Sequence, residues 1–255
     1  MKRYRWNQAG LAGNAFLSGH EDRIALVLPG LPYVPGEQPY FKDLQDAGYA
    51  VVQPQYHGTY DSSREFSPHT AVASVRTAIE AVRHGLVDAR SMKKIVTGAI
   101  SLFVGHSFGS WVLYNSVDEL PPGSAAVLLA PFLAMGRFRD QAGVLADMSG
   151  QVEYITRALP YSFRISDTGA WHDFFGDGDF PFATSDRHDR VPTILAVGAQ
   201  DGALDPQQLR VAANRFATTS GTRIIETRVV PDAGHGAGSL FRGAGILGLV
   251  RALDL

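Results

Sequence analysis

Ser107 is the residue of this sequence whose surroundings best suit covalent chemistry. It lies in Gly105-His106-Ser107-Phe108-Gly109, a G-x-S-x-G pattern that follows an apolar run and precedes a helical pattern. A serine on a sharp turn between a strand and a helix projects its hydroxyl clear of the sheet. The pattern therefore predicts a nucleophile at Ser107.

Glycines stand two positions before and two positions after this serine. Strand and helix backbones approach so closely at such a turn that only tiny residues fit, and Gly105 and Gly109 meet that demand. The turn also aims the backbone N–H groups at the helix start toward the space in front of Ser107, where an oxyanion would form. A serine hydroxyl is a weak nucleophile until a neighbouring base takes its proton, so the chemistry also requires a base.

With this motif at a strand-to-helix turn, the chain resembles the α/β-hydrolase superfamily from about residue 20 to its C-terminus. In that family the catalytic residues follow in the order serine, acid, histidine. Gly198-Ala199-Gln200-Asp201 resembles the family's G-x-x-D turn after a late strand, and Ala233-Gly234-His235 resembles its histidine loop. The resemblance implies Asp201 as the acid that orients the histidine and His235 as the general base.

Three other residues near these motifs have alternative interpretations. Asp205 competes as the acid, but it directly precedes Pro206 and a predicted helix, where an aspartate more often caps the helix N-terminus. His57, in a loop that resembles the one packed beneath the family's catalytic turn, is predicted to be structural. His106 is predicted to pack or hydrogen-bond near the turn.

The resemblance also implies an oxyanion hole made of two backbone N–H groups. One belongs to Phe108, directly after the nucleophile, and the other to Leu31, in the loop after an early strand. That loop carries Pro29 where the family often has histidine, and Pro32 is excluded as a donor because it lacks an N–H. A plain tight turn is the alternative interpretation of the Pro-Gly-Leu-Pro run.

Strand and helix patterns alternate along most of the chain. Short apolar, β-rich runs predict strands, and apolar residues at helical spacing predict helices. The predicted strands cover 23–28, 49–53, 100–105, 125–130, 193–197 and 223–230, and the predicted helices cover 41–48, 70–86, 108–117, about 209–216 and about 246–253. This order predicts the α/β fold class, with a mostly parallel central sheet flanked by helices on both faces.

Residues 131–190 interrupt this alternation. The region is irregular in pattern and rich in aromatic residues. We therefore predict a single α/β domain over 1–255 with a cap or lid insertion at 131–190. Five aromatic residues there suit the lining of a pocket and the core of a lid equally well: Trp171, Phe174, Phe175, Phe180 and Phe182.

Composition narrows the classes of partner. A formal net charge of −2 offers no global field for nucleic acid, so a small-molecule substrate fits better. No apolar stretch approaches the roughly 20 residues that span a bilayer, and cysteine is absent, so we expect a cytoplasmic protein. Histidine spacing typical of metal sites is missing and no Walker pattern occurs, so no metal or cofactor is predicted. The acidic segment 173–179 is interpreted as a surface turn rather than a calcium loop.

These patterns predict a serine hydrolase of the carboxylesterase or thioesterase type, which cleaves its substrate through an acyl-enzyme. A serine nucleophile argues against the dehalogenase branch of the superfamily, which uses an aspartate. An amidase or peptidase, a carbon–carbon bond hydrolase, a lyase or cyclase, and a non-catalytic receptor remain open as alternatives on the same fold. The sequence does not indicate an oligomeric state.

Overall fold

A computed structural model describes residues 2–132, 150–158, 161–175, 190–202, 204, 206–207 and 222–253. Its strands are β1 (Lys2–Gln8), β2 (Leu11–Leu17), β3 (Arg23–Leu28), β4 (Tyr49–Pro54), β5 (Leu86–Val87), β6 (Lys94–Val96), β7 (Ile100–His106), β8 (Ala125–Leu129), β9 (Val191–Gly198) and β10 (Thr222–Val230). Within these residues eight strands form one sheet in the order β1-β2-β4-β3-β7-β8-β9-β10, and β5 pairs with β6 in a separate ribbon.

The sheet is parallel from β4 to β10 and antiparallel at its β1–β2 edge. Successive side chains of a strand point to opposite faces. Every residue of β4 and of β8 is buried, so both faces of the central sheet are covered. The predicted α/β fold class with a mostly parallel sheet flanked by helices is confirmed.

The described helices are α1 (Phe41–Asp46), α2 (Pro68–His84), α3 (Phe108–Tyr114), α4 (Gly150–Ala158), α5 (Gly169–Phe175), α6 (Ala237–Gly243) and α7 (Ile246–Arg251). The start of α2 is well defined, because Ser67 and Thr70 form a reciprocal capping box and Pro68 occupies the first turn. No helix in these parts of the chain is long and apolar enough to cross a membrane.

The β1–β2 hairpin was not predicted. The sequence of β1 is mostly charged or polar, and Trp6 is its one buried residue. Charged side chains suit an edge strand, where they discourage pairing with another chain. A strand of this kind contains no apolar run, so the sequence pattern does not indicate it. Helix α6 was also not predicted, and the predicted helix at about 209–216 lies outside the described residues.

The described parts of the predicted insertion pack on the loop that follows β4. Phe163 bridges to Thr59, and the indole N–H of Trp171 donates to the carbonyl oxygen of Phe66 at 3.1 Å. Trp171 and Phe174 are fully buried and contact the ring of Phe108. These two rings therefore form core between α5 and the start of α3, whereas Phe180 and Phe182 lie outside the described residues.

Gly109 sits where α3 passes directly against the end of β3. A Cβ atom at Gly109 would lie 2.2 Å from the carbonyl oxygen of Leu28 and 2.6 Å from that of Pro29. Replacement Gly109→Ala should therefore lower the free energy of unfolding by about 1–3 kcal/mol in urea denaturation, because backbone must move to admit the methyl group.

Gly248→Ala is the matched control. Gly248 also lies in a helix, and a Cβ there meets nothing within 4 Å. Alanine should leave stability unchanged or raise it by up to about 1 kcal/mol. Equal stability of the two variants would contradict the close packing of α3 on β3.

Candidate active site

Four loops meet at one edge of the sheet. Leu31 follows β3, Ser107 follows β7, Asp201 follows β9 and His235 follows β10. These strands are parallel neighbours or near neighbours, so their carboxyl ends share an edge, which is where open α/β sheets bind ligands. The topology thus brings together side chains that are far apart in the sequence.

Ser107 stands on a strained turn. Its φ of 52° lies in the left-handed region that residues with a side chain rarely adopt. Its N–H donates to the carbonyl oxygen of Leu129 at 2.8 Å, which ties the turn to β8. At Gly105 a Cβ atom would lie 2.6 Å from the carbonyl oxygen of Gly109. The backbone strain is therefore held by contacts that only glycine permits on either side of the serine.

The three predicted side chains form a continuous chain of hydrogen bonds. Oγ of Ser107 lies 2.9 Å from Nε2 of His235, and Nδ1 of His235 lies 2.8 Å from Oδ2 of Asp201. An ionised carboxylate only accepts, so Nδ1 carries the proton and Nε2 is left to accept from the serine hydroxyl. Asp201 is fully buried, whereas His235 is about a third exposed. This arrangement can take a proton from Ser107.

The loops that carry Asp201 and His235 are tied to each other. The N–H of Ala199 donates to the carbonyl oxygen of Val230 at 2.9 Å, and that of Gln200 donates to the carbonyl oxygen of Ala233 at 3.0 Å. These two backbone hydrogen bonds set the distance between the two loops independently of the side chains of Asp201 and His235. The competing acid Asp205 lies outside the described residues.

His106 supports the loop that carries His235. Its Nε2–H donates to the carbonyl oxygen of His235 at 2.7 Å. Burial lowers the pKa of His106 to about 4, although the hydrogen bond to the backbone of His235 acts in the opposite direction, so the ring is uncharged near neutral pH. The ring of Phe132 packs edge-on against the ring of His235, with centroids 5.9 Å apart. Both contacts limit how far His235 can move.

The backbone groups expected to form an oxyanion hole lie on either side of Ser107. Phe108 is the first residue of α3, where a helix leaves its N–H groups without helix partners. Leu31 and Ser107 line the same cavity of about 270 Å³, and the hydroxyl of Tyr56 holds the loop by donating to the carbonyl oxygen of Pro29 at 2.7 Å. The assignment of Leu31 and Phe108 as oxyanion donors stays a prediction.

Sequence reasoning missed several residues that line this cavity, among them Tyr40 and Gln53. Gln53 lies near the end of β4, and Tyr40 directly precedes α1. No motif marks either position, because their place depends on strand register and on the loop before α1.

His57 contacts α2 and lies away from Ser107. The N–H of His57 donates to Oγ of Ser74 in α2, at 2.8 Å, and His57 is not among the described residues that line the cavity. The described residues contain no group of three or more side chains suited to a metal ion. Residues 243–248 fit the G-x-G-x-x-G pattern of dinucleotide sites. Such a site requires the pattern to follow a strand, whereas these residues join α6 to α7.

Known proteins resemble this chain over nearly its whole length. Residues 25–244 match the profile of the alpha/beta hydrolase family. An esterase from Pyrococcus furiosus is 16% identical with a TM-score of 0.62, and the alignment covers 99% of this chain and 89% of that one. A predicted CIB-like hydrolase from Thermoplasma acidophilum is 13% identical with a TM-score of 0.55, over 100% and 98%.

A monoacylglycerol lipase from Paleococcus ferrophilus is 16% identical with a TM-score of 0.54, over 99% of this chain and 100% of that one. At such identities these structures share the fold, and they do not by themselves transfer an activity. No curated protein has a matching sequence.

His106 should make the free energy of unfolding depend on pH. Its pKa falls from an ordinary 6.5 to about 4 on folding, so between these values the unfolded chain binds the extra proton. The free energy of unfolding should therefore fall as the pH drops from about 6.5 to about 4, by up to about 3 kcal/mol. In His106→Gln, whose amide can still donate to the carbonyl oxygen of His235, that contribution should vanish.

Denaturation curves at several pH values measure the slope of the free energy of unfolding against pH. His84→Gln is the control, because His84 is exposed at the end of α2. The control should keep the wild-type slope. An unchanged slope in His106→Gln would show that His106 is not held uncharged by burial.

Proposed function

The chain belongs to the α/β-hydrolase family, and we propose that it is a serine hydrolase that cleaves a carboxylic ester or thioester through an acyl-enzyme. The observation that carries the proposal is the chain of hydrogen bonds from Ser107 through His235 to the buried Asp201. A serine, a base within hydrogen-bond reach and a third group that orients the base are the parts that nucleophilic catalysis needs.

In the first half of the reaction, Oγ of Ser107 attacks the carbonyl carbon of the substrate while its proton passes to Nε2 of His235. The carbonyl oxygen becomes an oxyanion, which in this proposal accepts hydrogen bonds from the N–H groups of Leu31 and Phe108. The buried carboxylate of Asp201 stabilises the imidazolium that forms. Collapse of the intermediate breaks the bond to the leaving oxygen or sulfur, which takes the proton from His235.

In the second half, water replaces the leaving group. His235 takes a proton from the water as its oxygen attacks the acyl carbon, and returns that proton to Oγ of Ser107 when the ester bond breaks. The carboxylic acid leaves and the serine is restored. The partial exposure of His235 supports this step, because water can reach the imidazole while Asp201 stays buried.

The choice of ester chemistry draws on the neighbours. Two of the structures with the same fold are named as an esterase and a monoacylglycerol lipase, which supports an ester over an amide or a carbon–carbon bond. A lyase or cyclase would use the same proton transfers without an acyl-enzyme, so trapping of the serine separates the two. A small-molecule substrate, a cytoplasmic location and a covering role for 131–190 stay predictions beside this proposal.

A fluorophosphonate probe tests the proposal. We expect the probe to label the peptide that contains Ser107, and Ser107→Ala to lose both the label and the turnover of p-nitrophenyl acetate, with kcat lower by on the order of 10⁴ to 10⁶. Mass spectrometry locates the label, and circular dichroism checks that the variant is folded. Folded wild-type protein that takes no label at Ser107 would overturn the proposal in favour of a receptor or another chemistry.

A further inference from the structure

The N–H of Leu31, one of the two predicted oxyanion donors, follows a glycine. Gly30 lies directly against the turn of the nucleophile, because a Cβ atom there would lie 3.2 Å from Cβ of Ser107. Glycine restricts the backbone less than any other residue, so Gly30 alone does not orient the N–H that follows it. A donor stabilises an oxyanion best when it is held in place before the reaction. The loop therefore needs contacts on both sides of Leu31.

The side chain of Tyr56 holds the loop before Leu31. Its hydroxyl donates to the carbonyl oxygen of Pro29, two residues before Leu31, at 2.7 Å. Tyr56 is fully buried, and burial raises the pKa of its hydroxyl well above the ordinary value. The hydroxyl therefore keeps its proton and stays a donor. Because the carbonyl group of Pro29 belongs to the peptide that precedes Gly30, this hydrogen bond fixes the plane of that peptide.

The backbone of Tyr56 holds the loop after Leu31. Its N–H donates at 3.1 Å to the phenol oxygen of Tyr33, two residues after Leu31. Oγ1 of Thr59 lies 2.7 Å from the same phenol oxygen and gives its own proton to the carbonyl oxygen of Tyr56 at 2.8 Å, so the phenol proton points to Thr59. The hydroxyl of Tyr60 also donates to the carbonyl oxygen of Tyr33. Tyr56 thus binds the loop at two points that lie on either side of Leu31.

The ring of Tyr56 also contacts the residue that carries the second predicted donor. It packs edge-on against the ring of Phe108, with centroids 5.6 Å apart. The carbonyl oxygen of Pro29 lies beside the same helix, because a Cβ atom at Gly109 would lie 2.6 Å from it. One buried side chain therefore contacts both backbone segments that would bind the oxyanion. Tyr56 is not among the described residues that line the cavity, so it would act without touching the substrate.

We infer that Tyr56 is a positioning residue of the oxyanion hole, and that its hydroxyl and its N–H fix the direction in which the N–H of Leu31 points relative to that of Phe108. The inference rests on the proposed function, since an oxyanion forms only if Ser107 attacks a carbonyl carbon. Tyr56 then acts through Leu31 on the rate of that attack and leaves the proton transfers to His235.

Tyr56→Phe tests this role, because it removes one oxygen atom and keeps the ring against Phe108. The carbonyl oxygen of Pro29 loses its donor, and the peptide of Leu31 becomes free to turn about Gly30. Loss of a whole oxyanion donor lowers the rate by about 10²- to 10³-fold. For a donor that is misplaced rather than lost, we expect kcat/KM for p-nitrophenyl acetate to fall by about tenfold to a hundredfold. Circular dichroism checks that the variant is folded.

Tyr49→Phe is the matched control, because it also removes a buried phenol hydroxyl. Tyr49 is buried, and its hydroxyl has no partner among the described residues. Tyr49 is the first residue of β4, which runs parallel to β3, so it lies at the end of the strand opposite the edge that carries Ser107. Its replacement should leave kcat/KM at the wild-type value.

A pair of esters separates a misplaced oxyanion donor from a general loosening of the site. The pair is p-nitrophenyl acetate and p-nitrophenyl thionoacetate, in which sulfur replaces the carbonyl oxygen and the leaving group is the same. Sulfur is a weak hydrogen-bond acceptor, so the wild type should favour the oxygen ester by about tenfold or more in kcat/KM, after correction for uncatalysed hydrolysis. Tyr56→Phe should bring this ratio toward one, and Tyr49→Phe should keep it. Displacement of Ser107 or His235 would slow both esters alike and leave the ratio unchanged.

Tyr33→Phe is a second variant that affects the same N–H. It removes the phenol oxygen that accepts from the N–H of Tyr56 and leaves the hydrogen bond from Tyr56 to Pro29 in place. The loop is then free on the far side of Leu31, so the ratio of the two esters should fall here as well. Where Tyr56→Phe does not fold, the ratio in Tyr33→Phe decides the question.

The outcomes distinguish this inference from the proposed function. Turnover by the wild type with one and the same ratio in Tyr56→Phe, Tyr33→Phe and Tyr49→Phe would refute the role of Tyr56 and leave the hydrolase intact. A wild-type ratio of one would also refute it, because no N–H group would then act on the reacting oxygen. Folded wild-type protein with neither label at Ser107 nor turnover would refute the hydrolase, and the role of Tyr56 with it.

Discussion

The backbone turn at Ser107 is the constraint on which the rest of the site depends. A serine with a φ of 52° is stable only if its surroundings hold it, and here α3 is pressed against β3 and β7 with glycines at the points of contact. That packing sets where the hydroxyl emerges from the sheet. The loops after β3, β9 and β10 then need only reach the same edge, which their parallel arrangement ensures.

Asp201, His235 and His106 differ in how deeply they are buried, and their burial affects their charge and their interactions. Asp201 is fully buried and bonded to Nδ1 of His235, whereas His235 keeps part of its ring exposed. A carboxylate in a poorly solvated place interacts strongly with an adjacent imidazolium, so in the proposed reaction Asp201 would favour proton transfer from Ser107. His106 adds support without adding charge, because burial keeps it neutral while it holds the backbone of the histidine loop.

Apolar runs and the G-x-S-x-G pattern were enough to predict the central strands and the nucleophile Ser107, whereas the resemblance to the α/β-hydrolase superfamily implied Asp201 and His235. Each strand there is a short apolar run, and each site residue follows the end of a strand within a few residues. The parallel order of these strands then implies a shared edge of the sheet. The strand β1 was not predicted because its charged and polar residues form an exposed edge without an apolar run, and β2 was not predicted because Gly13 and Asn14 interrupt its apolar residues. Gln53 and Tyr40 were not predicted to line the cavity because their positions there depend on tertiary packing.

The central step of the proposed mechanism is the activation of Ser107 by His235, which Asp201 orients. The most direct measurement is the rate at which a fluorophosphonate labels Ser107 in wild-type protein, in Asp201→Asn and in Asp232→Asn, an exposed aspartate of the histidine loop. We expect labelling slower by on the order of 10³-fold or more in Asp201→Asn, because asparagine favours the wrong tautomer of His235. Asp232→Asn should react like the wild type. Equal rates in all three proteins would contradict the account.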